Sequence, residues 1–526
     1  MTFSNITDDW TIQSTVESTS GVEAMDATVV DQPTTFNVLK LSVNPKYDSV
    51  GINSANKIWT SACVSIEASD MPEEMNDRTS ALDIVVALDI SGSMSGQKLN
   101  DCKSTLEAML RPLGSKDRFG LIVFGSRVRV IIPAAIMNKE NKESALNQIK
   151  QINTEGCTNL SGGLMMAWKE LLLICNPNSV RSLFLLTDGL ANEGIQNTNT
   201  LVQTVNRLTA DSATGVSAAL TDGLWTSSTI SAQLVVNAQL DITAENIQAP
   251  VSLFCFGYGS DHNSDMLQGL SEATAGGGYY FVENDSDVYA AFGDAMGGIM
   301  SIMAQSAVLK VSVPSEAATN GVKIRDVHHD KKINRGDGTF TVNIGDFYAE
   351  EHRDVIVDFD LSNVASDEPV PHFVASLSYM EVLSKKPAQT EPRSCNVARP
   401  DSNEISAIKK YVESQWMRIW VARELEEADR EARNNQRAQA EARLQNMAAA
   451  IKASEAYDKD DETFSKLELK LCHAMQDYEE VTYSGHRSKN MYRSMKQQRA
   501  CASTSGVDAC YQNKYKMKMS NAFKKP

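Results

Sequence analysis

The middle of the chain contains continuous apolar runs rather than an alternation of apolar and polar residues. The runs predict strands at 83–88, 119–124, 128–132, 182–186 and 251–256. Strands that are apolar at every position are typical of a mostly parallel sheet covered by helices on both faces. The segments between the runs have helical spacing, as in the stripe Leu99, Cys102, Leu106, Met109 and Leu110. The pattern therefore predicts a Rossmann-like, doubly wound α/β domain over residues 81–302.

The segments on both sides of this α/β domain alternate apolar and polar residues instead. They predict strands at 35–44, 60–69, 307–314, 321–328, 338–345, 353–361 and 373–382. We expect residues 31–80 and 303–385 to form one β-sandwich, with the α/β domain as an insertion in it. Residues 1–30 have no clear period and are predicted as a flexible N-terminus, and residues from about 209 to 248 as an insertion within the α/β domain.

The spacing becomes helical from Asp401. Asp401 and Glu404 have the spacing of a capping box, and Ile405, Val412 and Ile419 belong to one apolar stripe. We expect long helices over 401–484 that form a hairpin or a coiled coil, with self-association through them as the alternative. Residues 485–526 carry ten Lys or Arg and one Asp. This basic tail is predicted as a solvated terminus; the alternatives are binding to an acidic partner, RNA or an anionic membrane.

Candidate chemistry lies where the apolar strands end. Asp89, Ser91 and Ser93 follow the first strand in ALDISGSMSG. One carboxylate and two short hydroxyls at alternate positions of a loop are hard oxygen ligands of the kind that Mg²⁺ prefers. The loop EGCTNLSGG supplies Thr158, and SLFLLTDGL places Asp188 at the carboxyl end of another strand. Ligands of open α/β sheets bind outside the carboxyl ends of the strands, although Asp and Ser are also common in ordinary strand-to-helix turns.

These five positions resemble the metal-ion-dependent adhesion site of the von Willebrand factor type A (vWA) domain. That site combines Asp-x-Ser-x-Ser, a Thr in Gly-x-Thr and an Asp in Thr-Asp-Gly. The resemblance implies that Ser91, Ser93 and Thr158 ligate through hydroxyls, while Asp89 and Asp188 act directly or through water. The implied ion is Mg²⁺, with Mn²⁺ or Ca²⁺ as alternatives, and a partner protein would donate an Asp or Glu carboxylate to it. The other interpretation is a domain that keeps these loops for folding and binds no metal.

Residues 254–282 and 336–361 resemble the vWA core and the following β segment of the plant RING-type ubiquitin ligases of the wavy-growth class. Those ligases carry an N-terminal RING, whereas residues 1–80 contain one Cys and no His. We therefore expect this chain to lack a RING. The resemblance leaves open a RING-less accessory or substrate-recognition component of a ubiquitin ligase.

Composition narrows the function classes. The formal net charge is −17, and since the tail is basic, the rest of the chain is strongly acidic, so no nucleic-acid partner is expected. There is no apolar run of about 18 residues, so no transmembrane segment is expected. The sequence shows no leader pattern and its nine cysteines are scattered, which favours a cytoplasmic or nuclear protein. Nucleophile-elbow, zinc-protease and Walker motifs are absent from the sequence, so we expect no enzyme. The expected function is a metal-dependent adaptor for a protein partner, with a self-assembling structural protein as an alternative.

Overall fold

A computed structural model describes residues 38–54, 58–72, 80–188, 191–209, 250–259, 262–274, 276–282, 285–434, 436–457 and 514–523. The predicted N-terminus, the predicted insertion from residue 210 onwards, and residues 458–513 lie outside the described residues. The strands are β1 (Leu39–Pro45), β2 (Trp59–Ala68), β3 (Leu82–Asp89), β4 (Arg118–Phe124), β5 (Val128–Ile136), β6 (Val180–Thr187), β7 (Val251–Tyr258), β8 (Gly278–Val282), β9 (Ile302–Ser312), β10 (Ile324–His328), β11 (Lys332–Asn334), β12 (Thr339–Tyr348), β13 (His352–Asp360), β14 (Ser366–Glu381), β15 (Lys386–Gln389) and β16 (Arg393–Arg399). The helices are α1 (Gln97–Leu110), α2 (Lys139–Lys150), α3 (Leu160–Leu172), α4 (Thr198–Thr209), α5 (Ser264–Glu272), α6 (Asp285–Met300), α7 (Ser315–Thr319), α8 (Lys410–Arg433), α9 (Arg437–Ala453) and α10 (Lys514–Phe523).

The central sheet has the strand order β5-β4-β3-β6-β7-β8, and only β5 runs antiparallel to its neighbour. Every residue of β3, β6 and β7 is buried, as the continuous apolar runs predict. One face packs on α1, α2 and α6 through residues that include Leu106, Ile149 and Phe292. The other face packs on α3, α4 and α5 through residues that include Leu164 and Leu267. The predicted doubly wound α/β domain is therefore confirmed.

The flanking strands form two further sheets, in the orders β1-β2-β13-β10 and β11-β12-β9-β14-β15, with β16 also paired to β14. Strands from the two sides of the α/β domain pair directly, since Val64 of β2 lies opposite Val355 of β13. Apolar side chains of both sheets share one core, as Ile66 and Phe359 of the first sheet and Leu309 of the second illustrate. The α/β domain is thus inserted between strands of a β-sandwich.

Two predicted boundaries are wrong. The sandwich does not end at residue 385, because β16 adds Arg393–Arg399 to the second sheet through pairs such as Val397 with Val370. Residues 401–409 are not helical, so Asp401 and Glu404 form no capping box. The Asp401 carboxylate instead accepts a hydrogen bond from Asn53 Nδ2 at 2.7 Å, and the Glu404 carbonyl accepts one from the Gly51 backbone N–H at 2.7 Å. Pairing with a distant segment therefore overrides the local helix signal, and α8 begins only at Lys410.

Helices α8 and α9 form a hairpin whose apolar positions, among them Leu425, Leu444 and Ile451, pack on one another. The amino-terminal part of α8 lies on the first sheet, where Val412 and Ile419 cover Cys63 and Ile356. The predicted helical arm is therefore attached to the sandwich at one end.

A polar cluster reinforces this attachment. His352 Nε2 lies 2.9 Å from Asp354 Oδ1 and 2.8 Å from the Tyr411 hydroxyl of α8, and Tyr411 also donates a hydrogen bond to Asp354 Oδ2. The hydrogen bond with Asp354 raises the pKa of His352. Burial opposes ionisation of Asp354, but hydrogen bonds from His352, Ser65 and Tyr411 outweigh it and hold the pKa of Asp354 below its usual value. The pair is therefore most favourable when Asp354 is ionised and His352 is protonated.

We expect the stabilising effect of this pair to depend on pH. The Asp354 contribution is present above about pH 4 and is lost as the pH falls through its lowered pKa, whereas the His352 contribution is present below about pH 6.5 and is lost as the pH rises through its raised pKa. His352→Gln should therefore cost about 0.5 kcal/mol near pH 5.5, since the pair is partly exposed, and nearly nothing at pH 9. Chemical unfolding of both proteins between pH 5 and 9 measures this, and a cost that stays constant over that range would contradict it.

Part of the basic tail is ordered as α10, which packs on α6 and contradicts the prediction of a wholly solvated terminus. The Lys516 side chain is 5% exposed, and its ammonium lies 3.4 Å from Asp294 Oδ2 of α6 and 4.5 Å from the centre of the Tyr348 ring. The Tyr515 hydroxyl donates a hydrogen bond to Asp70 at 2.8 Å. A β-carbon on Gly297 would lie 2.6 Å from the Lys516 Cα, so only glycine permits this approach. Composition predicts solvated lysines in the tail, but Lys516 is buried between the α/β domain and the sandwich.

Candidate functional site

The topology of the central sheet brings two of the five predicted ligands together. Strand β3 ends at Asp89, and its neighbour β6 ends at Thr187, one residue before Asp188. The two strands are parallel, with Leu88 opposite Leu186. Their carboxyl ends therefore lie side by side, and the loops that follow them share one edge of the sheet.

Four of the five predicted residues form one hydrogen-bonded cluster at this edge. The Ser91 and Ser93 hydroxyl oxygens are 3.1 Å apart, and Ser93 donates to Asp188 Oδ1 at 2.8 Å. Asp89 Oδ1 accepts from the Ser91 backbone N–H at 2.8 Å, and Asp89 Oδ2 accepts from the Thr187 hydroxyl at 2.6 Å. Asp89, Ser91 and Asp188 are buried, and Ser93 is exposed. The cluster is therefore fixed by hydrogen bonds on its buried side and faces solvent at Ser93.

Thr158 reaches the same edge on a separate loop. The Gly156 carbonyl accepts a hydrogen bond from the Gly92 backbone N–H at 3.1 Å, which ties this loop to the one that carries Ser91 and Ser93. The Thr158 backbone N–H donates to Asn192 Oδ1 at 2.7 Å, and Thr158 is 4% exposed. Within the described part of the chain, its hydroxyl forms no hydrogen bond to the other four residues. The fifth predicted residue is thus placed beside the cluster without being part of it.

The electrostatics of the cluster are those of two carboxylates with one nearby cation. Burial raises the pKa of Asp89 to about 6, the Asp188 carboxylate adds to the effect, and hydrogen bonds from Thr187 and Ser91 oppose it. Asp188 Oδ2 lies 2.6 Å from the Lys98 ammonium of α1. A buried carboxylate that is costly to ionise is a position where added positive charge is strongly favoured.

The donor set fits a magnesium ion. In octahedral coordination at about 2.0–2.1 Å, neighbouring ligand oxygens are about 3 Å apart. The Ser91–Ser93 and Ser93–Asp188 oxygen separations of 3.1 Å and 2.8 Å match this spacing. The described residues contain no group of three or more His, Cys, Asp or Glu side chains that could hold a metal, so any ion here would depend on hydroxyl ligands as well as on the two carboxylates.

Three further residues form hydrogen bonds to the predicted ligands and were not predicted from the sequence. Thr187 stands inside the quoted Thr-Asp-Gly motif, so its proximity to Asp188 was visible, but its bond to Asp89 depends on strand pairing. Lys98 follows the Ser-rich loop by a few residues, yet only the orientation of α1 points it towards Asp188. Asn192 lies 34 residues from Thr158 and carries no local signal.

Comparison with known proteins gives the class of the central domain. Residues 83–293 match the von Willebrand factor type A domain family. The chain is 34% identical over 130 residues to inter-alpha-trypsin inhibitor heavy chain H1 of Bos taurus. This match covers 23% of this chain and 14% of the bovine protein. The chain is 23% identical over 286 residues to E3 ubiquitin-protein ligase WAV3 of Arabidopsis thaliana, covering 54% of this chain and 32% of that protein. A von Willebrand factor type A structure from Catenulispora acidiphila has the same fold, with a TM-score of 0.56 at 12% identity, covering 90% of this chain and 97% of that one.

The chain therefore contains a vWA domain, and it is homologous to WAV3 and to the inter-alpha-trypsin inhibitor heavy chains. Domains of this class generally mediate protein–protein interaction, are mostly non-enzymatic and commonly bind a divalent metal. The chain spans between about a seventh and a third of the length of these two relatives. None of the described helices has the length and apolar character needed to span a membrane.

Proposed function

We propose that this chain binds a partner protein through a divalent metal at the carboxyl edge of its vWA sheet. Asp89, Ser91, Ser93, Thr158 and Asp188 are the residues that would hold the ion, Mg²⁺ first and Mn²⁺ or Ca²⁺ as alternatives. When bound, the ion would supply a Lewis-acidic position for an Asp or Glu carboxylate of the partner. The observation that carries the proposal is the series of three oxygens from Ser91, Ser93 and Asp188, whose two successive separations, 3.1 Å and 2.8 Å, match those of neighbouring octahedral ligands.

The surroundings of the cluster support this role. Asp89 is fixed by hydrogen bonds from the Ser91 backbone N–H and the Thr187 hydroxyl, so its orientation does not depend on an ion. Ser93 is exposed beside the buried Ser91 and Asp188, which leaves the cluster accessible to a protein surface. The sandwich and the helical hairpin make no described hydrogen bond to the five residues. These parts of the chain would therefore support or extend the vWA domain without competing for its open edge.

We further propose that the protein acts in the cytoplasm or the nucleus. The described cysteines 63, 102, 157, 175, 255 and 395 are all free thiols. Free thiols at scattered positions, two of them exposed, suit a reducing compartment. A fluorescent fusion to the full chain would test this placement.

A second candidate function, a component of a ubiquitin ligase that recognises substrates, is favoured by one observation. The similarity to WAV3 covers 54% of this chain, which is more than the vWA domain alone. The same metal-dependent contact would then hold a ligase substrate. A ubiquitin-transfer assay with and without the full chain separates this role from that of a general adaptor.

Metal-dependent partner capture tests the main proposal. We expect immobilised full-length protein in Mg²⁺ to retain proteins that are lost both in EDTA and with the Asp89→Ala, Ser91→Ala double variant. A control, Ser104→Ala with Glu140→Gln, removes one hydroxyl and one carboxylate from exposed positions on α1 and α2 and should retain the same partners. A partner should also be lost when one of its own Asp or Glu residues is replaced. An identical set of retained proteins under all conditions would contradict the proposal.

A further inference from the structure

The contact between Lys98 and Asp188 is not explained by the stability of helix α1. Lys98 is the second residue of α1, whose first turn contains no acidic residue. The amino terminus of a helix carries a partial positive charge, so a lysine is disfavoured there. Its ammonium nevertheless lies 2.6 Å from Asp188 Oδ2, and the Asp188 side chain is 2% exposed. The position of Lys98 therefore serves the carboxylate and not the helix.

With this contact, each oxygen of the Asp188 carboxylate accepts one hydrogen bond. Its Oδ1 accepts from the Ser93 hydroxyl at 2.8 Å and its Oδ2 from Lys98 at 2.6 Å. Lys98 itself is 35% exposed, so it enters the cluster from the solvent side. An exposed ion pair contributes little, but this one holds a buried carboxylate, for which loss of the partner charge is costly.

We propose that Lys98 is a built-in cation of the candidate metal site, which weakens divalent-ion binding and strengthens selection for an anionic group on the partner. The proposal rests on the proposed function. Asp89 and Asp188 supply two negative charges and Lys98 supplies one positive charge, so the cluster as described carries a net charge of −1. A divalent ion changes this to +1, and an incoming carboxylate brings it to zero. Without Lys98 the loaded cluster would already be neutral and would attract a carboxylate less strongly.

The charge count predicts that one substitution has opposite effects on the affinity for the ion and on the affinity for a carboxylate. Lys98→Met keeps an unbranched side chain that is one atom shorter and removes its charge, so Mn²⁺ should bind about 10-fold more tightly, the scale of effects from groups beside metal ligands. Acetate, as a probe for a partner carboxylate, should bind the Mn²⁺-loaded protein about fivefold more weakly, because one unit of partly exposed charge is lost. Lys98→Arg keeps the charge and should resemble the unchanged protein in both measurements.

Electron paramagnetic resonance of free Mn²⁺ gives the ion affinity of the full chain, and water-proton relaxation during an acetate titration gives the carboxylate affinity. Tighter Mn²⁺ binding together with weaker acetate binding in Lys98→Met, and neither change in Lys98→Arg, is the expected result. Equal Mn²⁺ affinity in all three proteins, or equal changes in both variants, would overturn the role of Lys98 while leaving the metal site in place. Absence of Mn²⁺ binding in the unchanged protein would overturn the proposed function and this inference together.

Discussion

Replacing Asp89 by Asn will reduce the affinity for Mg²⁺ or Mn²⁺ by at least about 100-fold, because even groups that only support a metal ligand change affinity by about 10- to 100-fold. Asp89 supplies one of the two carboxylates in the cluster, and both of its oxygens already accept hydrogen bonds. Asparagine keeps the size of the side chain and one acceptor oxygen but carries no charge. Titration calorimetry of the full chain measures the loss.

The same substitution should not destabilise the metal-free protein. Burial raises the pKa of Asp89 to about 6, so the native state binds this proton more tightly than the unfolded state does. The ionised carboxylate therefore opposes folding above about pH 6 by about 3 kcal/mol, and this penalty disappears as the pH falls towards 4. Asn removes the penalty, so the metal-free variant should unfold at the same temperature as the unchanged protein or at a higher one at neutral pH.

Two results would count against this role of Asp89. One is an unchanged metal affinity in Asp89→Asn. The other is a loss of affinity that accompanies a lower unfolding temperature of the metal-free protein, since that would indicate damage to the fold. Glu140→Gln, which removes one negative charge from an exposed position on α2, controls for the change in net charge and should bind metal normally.

Replacing Lys516 by Met will destabilise the docking of α10 by about 3–5 kcal/mol, the cost of breaking a buried ion pair from one side. Lys516 and Asp294 are almost fully buried, and Tyr280 donates a second hydrogen bond to Asp294 at 2.8 Å. Methionine fills a similar volume but leaves the Asp294 carboxylate without its cation. Hydrogen exchange of residues 514–523 and urea unfolding of the full chain report the loss.

Lys518 is a matched control for Lys516. It lies two residues further along α10 and is exposed, so Lys518→Met makes the same chemical change at the surface and should cost less than about 1 kcal/mol. Adding Asp294→Asn to Lys516→Met should recover much of the lost stability, because no buried charge then remains. Similar small effects of the two lysine substitutions, with no recovery in the double variant, would show that the buried pair does not hold α10.

Much of the architecture could be predicted from local pattern. The apolar runs gave the strands at 83–88, 119–124 and 182–186 to within two residues of β3, β4 and β6, because burial on both faces leaves a direct mark on the sequence. The apolar pattern is weaker where pairing partners are distant or where a strand is exposed. Strands β15 and β16 were missed for this reason, since six of their eleven residues are exposed.

The residues of the candidate site likewise include some that the local sequence predicts and some that it does not. Asp89 ends β3, and Ser91 and Ser93 follow it at alternate positions, so the association of the three residues follows from one short segment. Asp188 could be added from its place at the end of an apolar strand, since carboxyl ends of parallel strands share one edge. Lys98 and Asn192 could not be added, because their contacts with Asp188 and Thr158 cross 90 and 34 residues of sequence.

The sequence by itself determined the kinds of layers, the insertion of one domain in another and the oxygen-rich composition of the candidate site, because each follows from short-range periodicity or from residue types in one loop. Only the tertiary structure decided the charge environment. It placed Lys98 beside Asp188, buried Lys516 against Asp294, and held residues 401–409 out of a helix by pairing them with residues near Gly51. Such contacts depend on which distant surfaces meet, and no local period records that.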